Sequence, residues 1–443
     1  MARLFGTDGI RGIANVDLTP TLAYELGRAV GHLLDGEGQS VVIGQDTRRS
    51  GDMLVAALGA GLTSVGSDVV ELGVVTTPCL AFVAGTGRHA AGIMVSASHN
   101  PAEDNGLKVL SGGRKVDDAV EDELESLIFR ADALPGMANA QLGRIRRDAD
   151  EVEAYRRHLL QAAGDALAGM RIGLDCANGS ASAIAPGLFA ELGAETTVLF
   201  AAPDGTNIND GCGSTHPERL AAAVVEGGLQ IGLAFDGDAD RLIAVDERGS
   251  LVDGDAVMGI CALDRLAKGT LRNGILVATV MSNGGLERAI ADAGGRMVRT
   301  PVGDRHVFDA MERTDAVMGG EQSGHIIFRD LATTGDGLLT GIELIRTVRA
   351  SSGASLSELA GRIPRLPQVM LNSAVRHRDQ WEIDPAFSGA VARAEEQLGE
   401  RGRVLVRPSG TEQKIRIMVE GEQQDEIEKI ARELDELARA RLN

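Results

Sequence analysis

Short runs of β-branched residues alternate with longer stretches of helical character through most of this chain. The runs at 41–46, 69–74 and 92–97 are typical of buried strands, and the stretches at 19–35 and 51–65 have the length of helices. Strands separated by helices of this length predict βαβ units and largely parallel sheets. The alternation therefore indicates an α/β fold.

The alternation restarts twice, after a polar stretch at 131–150 and again near position 254. One of the runs, 231–246, is predicted as a single strand. After 362–368 the strands lead and the helices follow, which is typical of a small α+β domain. We therefore predict three similar α/β domains with mixed, mostly parallel sheets, followed by a C-terminal α+β domain. The predicted boundaries are 1–150, 151–253, 254–365 and 366–443.

The formal charge of −20 argues against general nucleic-acid binding, which needs a basic surface. An anionic substrate would need a locally positive cleft. No apolar run approaches the ~20 residues that span a bilayer, and the N-terminus has no apolar signal core. The four cysteines are widely spaced, which predicts reduced thiols and a cytoplasmic protein without a membrane partner.

The first loop with candidate chemistry covers residues 95–108 and follows a predicted strand. It carries Ser98, His99 and Lys108. Open α/β sheets bind ligands at the carboxyl ends of their strands. A serine hydroxyl with basic neighbours at this edge is a candidate nucleophile, and a simple turn that closes the strand is the alternative.

The second loop carries three alternating aspartates, Asp236, Asp238 and Asp240. Carboxylates are preferred ligands of Mg²⁺ and Ca²⁺, and such close like charges repel unless a cation neutralises them. An EF-hand is excluded because Arg241 stands where the turn needs glycine and because strands flank the loop. A haloacid-dehalogenase-like phosphatase, with an aspartate as phosphate acceptor and 302–309 as a later acidic loop, stays open as an alternative.

Two further loops are rich in groups that bind sugars and phosphates. Residues 319–328 present many donors and acceptors of the kind that sugar hydroxyls need. At 407–416, backbone N–H groups and hydroxyls can surround an anion beside cationic side chains. Nucleophile, metal, sugar and phosphate contacts together form the set needed for phosphoryl transfer on a sugar. The candidate phosphate cradle comprises Arg407, Ser409, Gly410, Thr411, Lys414 and Arg416.

Five motifs occur in the order seen in one protein family: FGTDGIRG (5–12), SASHNP, DGDADR, GEQSGH and RPSGTE. Over its full length the chain resembles the α-D-phosphohexomutase superfamily. GEQSGH and VGDRHV (302–307) resemble most closely the bacterial branch that acts on glucosamine phosphates. Gln413 departs from the family pattern, which usually has proline there. The resemblance implies four domains around a central cleft.

The resemblance also implies roles for individual residues. Ser98 would be the phosphoserine, with one Mg²⁺ per chain held by Asp236, Asp238, Asp240 and the seryl group. The transferring group would be supported by Arg11, His99, Lys108 and Arg241. The sugar would be contacted by Glu321, Ser323 and His325. The phosphate that is not reacting would be held by Arg407, Ser409, Gly410, Thr411 and Arg416.

The reaction implied is an isomerisation between glucosamine 6-phosphate and glucosamine 1-phosphate through a 1,6-bisphosphate that turns over in the site. It would feed UDP-N-acetylglucosamine and cell-wall synthesis. Mannose or glucose phosphates are the alternative substrates.

Glucosamine 1,6-bisphosphate would act as priming activator, or a kinase or autophosphorylation would prime Ser98. Either Lys108 or His99 could be the general base. We also expect closure by the C-terminal domain and a possible homodimer.

Overall fold

The computed structural model describes residues 3–6, 8–34, 39–130, 134, 136–409 and 413–443. Within these residues the strands form four separate sheets with helices packed on them. Three sheets are mixed and mainly parallel, and the last is antiparallel, so the predicted fold class is confirmed. The predicted domain boundaries stay a proposal.

The first sheet has the order β1-β5-β4-β2-β3-β7, with β6 beside β5. Strands β4, β2, β3 and β7 are parallel, and β5 and β1 add an antiparallel edge. The elements are β1 (Ile10–Ile13), α1 (Pro20–Leu33), β2 (Ser40–Gln45), α2 (Gly51–Ser64), β3 (Val69–Val74), α3 (Thr77–Ala84), β4 (His89–Val95), β5 (Asp104–Ser111), β6 (Arg114–Lys115), α4 (Asp118–Ile128) and β7 (Ile145–Arg147).

The second sheet corrects one prediction. The run 231–246 is not one strand but the antiparallel pair β10 and β11, because the chain turns at Ala239 with a φ of 56°. The order is β12-β11-β10-β8-β9, with β10, β8 and β9 parallel. The elements are α5 (Ala149–Ala163), β8 (Arg171–Asp175), α6 (Ala185–Glu191), β9 (Glu195–Leu199), α7 (Glu218–Gly227), β10 (Ile231–Phe235), β11 (Leu242–Asp246) and β12 (Leu251–Val252).

The third sheet has the order β14-β13-β15-β16, in which only β16 is antiparallel to its neighbour. Strands β15 and β16 flank the predicted sugar loop as a hairpin. The elements are α8 (Gly254–Ala267), β13 (Ile275–Thr279), α9 (Gly284–Asp292), β14 (Arg296–Thr300), α10 (Asp304–Thr314), β15 (Met318–Gly320), β16 (Ile326–Phe328), α11 (Gly337–Ala350) and α12 (Leu356–Ala360).

The fourth sheet is antiparallel, with the order β17-β19-β18. Helix α14 buries one apolar face, including Ile427, Ile430 and Leu434, in a core of its own beside the sheet. The polar face stays in solvent, as its 3.6-residue periodicity predicts. The elements are β17 (Gln368–Ala374), α13 (Pro385–Leu398), β18 (Gly402–Pro408), β19 (Lys414–Gly421) and α14 (Gln424–Arg441).

The second and third sheets share one large apolar core, which brings their loops side by side. The N–H of Leu242 donates to the carbonyl of Gly324 at 3.0 Å. A side chain at Gly324, whose φ is +92°, would place its Cβ 2.1 Å from the Leu242 carbonyl oxygen, so this contact requires glycine. Among the described residues, no helix combines the length and apolar character needed to cross a membrane.

Candidate active site

Ser98 lies buried at the end of β4 and faces the aspartate loop. Its Oγ donates to Asp236 Oδ2 at 2.5 Å and lies 3.3 Å from His99 Nδ1. The backbone of Ser98 has a φ of 51°, a left-handed conformation that is uncommon for a residue other than glycine. The structure therefore brings together two predicted groups that are 138 positions apart in the chain.

Two residues that the sequence analysis missed hold the Ser98 loop in this conformation. The guanidinium of the buried Arg48 ion-pairs with Asp46 at 2.9 Å and donates to the Ser98 carbonyl at 3.0 Å. From the loop between β9 and α7, Asn209 Nδ2 donates to the same carbonyl at 2.9 Å and to that of Asn100 at 3.0 Å. The available sequence signal for Arg48 is its position in the loop that follows a buried strand, at the ligand-binding edge of the sheet.

The three predicted metal ligands converge in the β10–β11 hairpin. Asp236, Asp238 and Asp240 are buried, and one oxygen of each lies within 4.8 Å of the others. Asp238 Oδ1 and Asp240 Oδ1 have no hydrogen-bond partner in the described part of the chain. Burial and the neighbouring carboxylates raise the pKa of Asp236 and of Asp240. Buried oxygens that lack partners and repel one another fit a metal ion, so this triad could hold one.

Lys108 is fully buried beside this triad. Its Nζ lies 2.7 Å from Asp238 Oδ2 and 3.2 Å from Asp8 Oδ2. Burial alone would lower the pKa of Lys108, but the surrounding carboxylates outweigh it and raise that pKa. Asp8 also bonds to Arg11, whose Nη1 donates to the Ala97 carbonyl at 3.2 Å. Lys108 and Arg11 therefore meet at Asp8, another residue that the sequence analysis did not single out.

A cavity of about 440 Å³ opens beside these groups, between the first three sheets. Burial, followed by the charges of Arg241 and Arg11, lowers the pKa of His99 to about 4, so the ring is neutral at pH 7. Arg241 donates its backbone N–H to Asp236 Oδ1 at 3.2 Å. The predicted residues that line the cavity are Arg11, His99, Asp240, Arg241, Glu321 and His325.

The predicted sugar loop forms the opposite wall of this cavity. Glu321 accepts the Gly303 N–H at Oε1, 2.9 Å away, and the exposed Ser323 hydroxyl at Oε2, 3.2 Å away. Neither ring nitrogen of the buried His325 has a hydrogen-bond partner within the described residues. A sugar hydroxyl that reaches this wall would therefore find an unpaired imidazole beside a carboxylate.

The predicted phosphate cradle lies next to this wall rather than in it. Arg407 and Arg416 are directly opposite each other on β18 and β19. Burial and then the charge of Arg416 lower the pKa of Arg407, while the carboxylate of Glu321 opposes them. Ser409 is buried at the strand end, but Gly410 and Thr411 lie outside the described residues. The charge of Glu321 on the cavity wall therefore acts on Arg407 of the fourth sheet.

A buried hydroxyl on a carboxylate triad, beside a cavity lined by arginines, is the constellation of an enzyme that transfers phosphoryl groups. Four family models of phosphoglucomutase/phosphomannomutase match the chain: α/β/α domain I at 2–134, domain II at 153–249, domain III at 253–366 and the C-terminal domain at 370–437. The chain belongs to this family, so the resemblance to the α-D-phosphohexomutases is confirmed.

Individual relatives agree with this assignment. The chain is 52% identical to the phosphoglucosamine mutase of Moorella thermoacetica over 99% of each chain. It is also 52% identical to that of Symbiobacterium thermophilum over 100% of each. A phosphoglucomutase/phosphomannomutase family protein of Burkholderia thailandensis has a similar structure, with a TM-score of 0.85 and 28% identity, covering 99% of this chain and 97% of that one.

Substitution of Asn209 by aspartate tests whether the hydrogen bonds from Asn209 hold the Ser98 loop in its active conformation. Asparagine and aspartate both tolerate the left-handed backbone at this position, where φ is 60°, but aspartate cannot donate to the Ser98 and Asn100 carbonyls. We expect Asn209→Asp to lower kcat for phosphoryl transfer by about 10- to 100-fold, as small misplacements of reacting groups do.

The matched control is Asn273→Asp, at a position remote from the site. Asn273 also has a left-handed backbone, with a φ of 57°, and its amide donates to the Thr314 carbonyl, a bond that aspartate would lose. This control should leave kcat unchanged. Asn273→Asp should melt close to the unsubstituted protein and Asn209→Asp somewhat lower, because it loses two part-buried hydrogen bonds, so kcat is compared at a temperature where both are folded. Equal kcat in the two variants would contradict the role of Asn209 in positioning the Ser98 loop.

Magnesium binding by the aspartate triad is tested by thermal melting with and without Mg²⁺. We expect Mg²⁺ to raise the melting temperature, because a ligand that binds only the folded state stabilises it. The Asp240→Asn variant should lose this response, and without metal it should be at least as stable as the unsubstituted protein because one repelling buried charge is gone. Asp204→Asn, at an exposed position outside helices and strands, should respond normally. A full response from Asp240→Asn would exclude this site.

Proposed function

We propose that this chain interconverts glucosamine 6-phosphate and glucosamine 1-phosphate through a phosphoserine at Ser98 and a 1,6-bisphosphate. It is an isomerase of the phosphohexomutase class, and its substrate is a phosphorylated sugar. The observation that supports the mechanism is the 2.5 Å contact of Ser98 Oγ with the aspartate triad beside the cavity. The glucosamine substrate is supported by the relatives of the same name at 52% identity.

We assign one Mg²⁺ per chain to Asp236, Asp238 and Asp240, with the seryl group as a further ligand. The unpartnered oxygens of Asp238 and Asp240 fit this assignment. When bound, the ion supplies positive charge to the phosphoryl oxygens and relieves the repulsion among the three carboxylates.

In the first step, the bond between phosphorus and Ser98 Oγ breaks as a free sugar hydroxyl forms a bond to phosphorus. The proton that this hydroxyl loses ends on the released Ser98 Oγ. Arg11 and Arg241 on the cavity wall bind the transferring oxygens, since guanidinium groups match phosphoryl geometry. The 1,6-bisphosphate then turns over, and Ser98 accepts the phosphoryl group from the other position. The sum is an exchange of phosphate between two positions of one sugar.

Of the two candidate bases, the geometry favours His99. Its ring is neutral at pH 7, and its Nδ1 lies 3.3 Å from Ser98 Oγ, so it can accept a proton at the reacting centre. The amine of Lys108 is held as a cation by Asp238 and Asp8. We therefore assign proton transfer to His99 and charge stabilisation to Lys108.

Substrate binding completes the site from the third and fourth sheets. Glu321, Ser323 and His325 would contact sugar hydroxyls. The non-reacting phosphate would be held by Arg407, Ser409, Gly410, Thr411 and Arg416. The described residues of this cradle stand beside the cavity, near Glu321, and do not line it. Movement of the C-terminal unit towards the sugar would therefore close the site and exclude water.

Priming requires a phosphoryl donor, for which we propose glucosamine 1,6-bisphosphate, a kinase or autophosphorylation. The four cysteines are buried free thiols, which supports the proposal of a reducing, cytoplasmic compartment. There the product would enter UDP-N-acetylglucosamine and peptidoglycan precursor synthesis. A homodimer remains part of the proposal.

The Ser98→Ala variant tests the nucleophile. We expect turnover of glucosamine 1-phosphate to fall by several orders of magnitude with the fold intact, because the phosphate carrier is lost. The melting temperature should fall slightly, because the buried Asp236 loses the hydrogen bond from Ser98. Ser111→Ala, at an exposed strand end, should keep full activity. Near-normal turnover in Ser98→Ala would overturn the assignment.

The same assay separates the alternatives. A mutase conserves total sugar phosphate, whereas a haloacid-dehalogenase-like phosphatase releases inorganic phosphate as substrate disappears. Parallel rates with glucose 1-phosphate and mannose 1-phosphate, each primed with its bisphosphate, test the choice of sugar.

A further inference from the structure

The active-site cavity has both cationic and anionic groups on its walls. Arg11 and Arg241 line the side that adjoins Ser98, together with Asp8 and Asp240. The third domain contributes the carboxylates of Asp304 and Glu321, and Lys115 lies beside Asp304. A ligand with an anionic group at one end and a cationic group at the other would match both walls. Glucosamine phosphates are such ligands, because they carry a phosphate and an ammonium group at C2.

Both carboxylates already accept hydrogen bonds, but the cationic partner of Asp304, Lys115, also pairs with Asp8. Both oxygens of Glu321 already accept hydrogen bonds from neighbouring polar groups, Gly303 and Ser323. Asp304 is the first residue of α10, and its Oδ1 accepts the N–H of the next residue at 2.9 Å. Its Oδ2 meets the Lys115 Nζ at 2.7 Å, and 18% of the side chain stays exposed.

The pairing of Lys115 permits a second cation at Asp304. Lys115 also ion-pairs with Asp8, so it keeps a partner if Asp304 turns towards a ligand. Burial alone would raise the pKa of Asp304, but Lys115 and then His325 outweigh it and keep the carboxyl charged. The side chain is therefore an anion on the cavity wall, beside the imidazole predicted to contact the sugar.

We propose that Asp304 determines specificity by accepting the C2 ammonium group of the hexosamine phosphate. This inference depends on the proposed function, since it names the residue that distinguishes glucosamine from glucose at C2. A hydroxyl at C2 offers this carboxylate only a neutral hydrogen bond, which is weaker than a charge-assisted one. Asp304 already pairs with Lys115. A sugar without the ammonium group leaves this ion pair undisturbed and therefore gains little binding free energy from Asp304.

The test is the ratio of kcat/KM for glucosamine 1-phosphate to that for glucose 1-phosphate, each measured with its own bisphosphate. In Asp304→Asn we expect this ratio to fall by about 10- to 100-fold, the usual effect of losing a hydrogen bond to a charged group. Asp304→Ser, which preserves a residue suited to a helix start, should lower the ratio similarly and provides a second measurement if the asparagine variant folds poorly.

The matched control is Asp309→Asn on the same helix, whose side chain does not line this cavity. Its ratio should equal that of the unsubstituted protein. An unchanged ratio in both Asp304 variants would overturn this inference, as would an equal loss with both sugars. Failure of the unsubstituted protein to convert glucosamine phosphates would instead overturn the proposed function, so the two failures are distinguishable.

Discussion

Repulsion among the three buried carboxylates of the β10–β11 hairpin is the constraint on which the rest of the site depends. Carboxylates so close together cannot all be charged in a buried loop unless donors and cations surround them. The first sheet supplies several of these groups: the Ser98 hydroxyl, the Lys108 ammonium and the Thr77 hydroxyl, which donates to Asp238 at 2.6 Å. The two sheets are therefore joined at the point where the chemistry takes place.

This constraint also explains the close backbone approach between the two sheets. A Cβ at Gly237, between the first two aspartates, would lie 2.5 Å from the Ser98 carbonyl oxygen and 3.0 Å from Asn209 Nδ2. Only glycine lets the loop approach the serine so closely. The carbonyl itself is held by Arg48 and Asn209, which fixes the left-handed backbone and directs the hydroxyl at the triad. Strain at Ser98 is thus offset by contacts from both sheets.

Much of the fold and of the site could be predicted because the information is local. Alternating strands and helices appear as sequence periodicity, and Ser98 and the three aspartates stand directly after apolar runs at strand ends. The aspartate loop was recognised, but the run 231–246 around it was still predicted as one strand, because the apolar residues continue on both sides of the turn at Ala239. Asn209 could not be predicted, since its partner lies 111 positions away and an isolated asparagine carries no pattern. Asp304 was noted only within the VGDRHV motif and an alternative acidic loop, because its place in the cavity depends on packing between sheets.

The most direct test follows labelled phosphate through one turnover. The protein would first be phosphorylated with radiolabelled phosphate, freed of donor and mixed with unlabelled glucosamine 1-phosphate. If Ser98 carries the phosphoryl group into a shared cavity, the label starts on Ser98 in an acid-stable form and passes to sugar phosphates, with little inorganic phosphate released. Label on an aspartate, or label lost to inorganic phosphate as the sugar is consumed, would contradict the account.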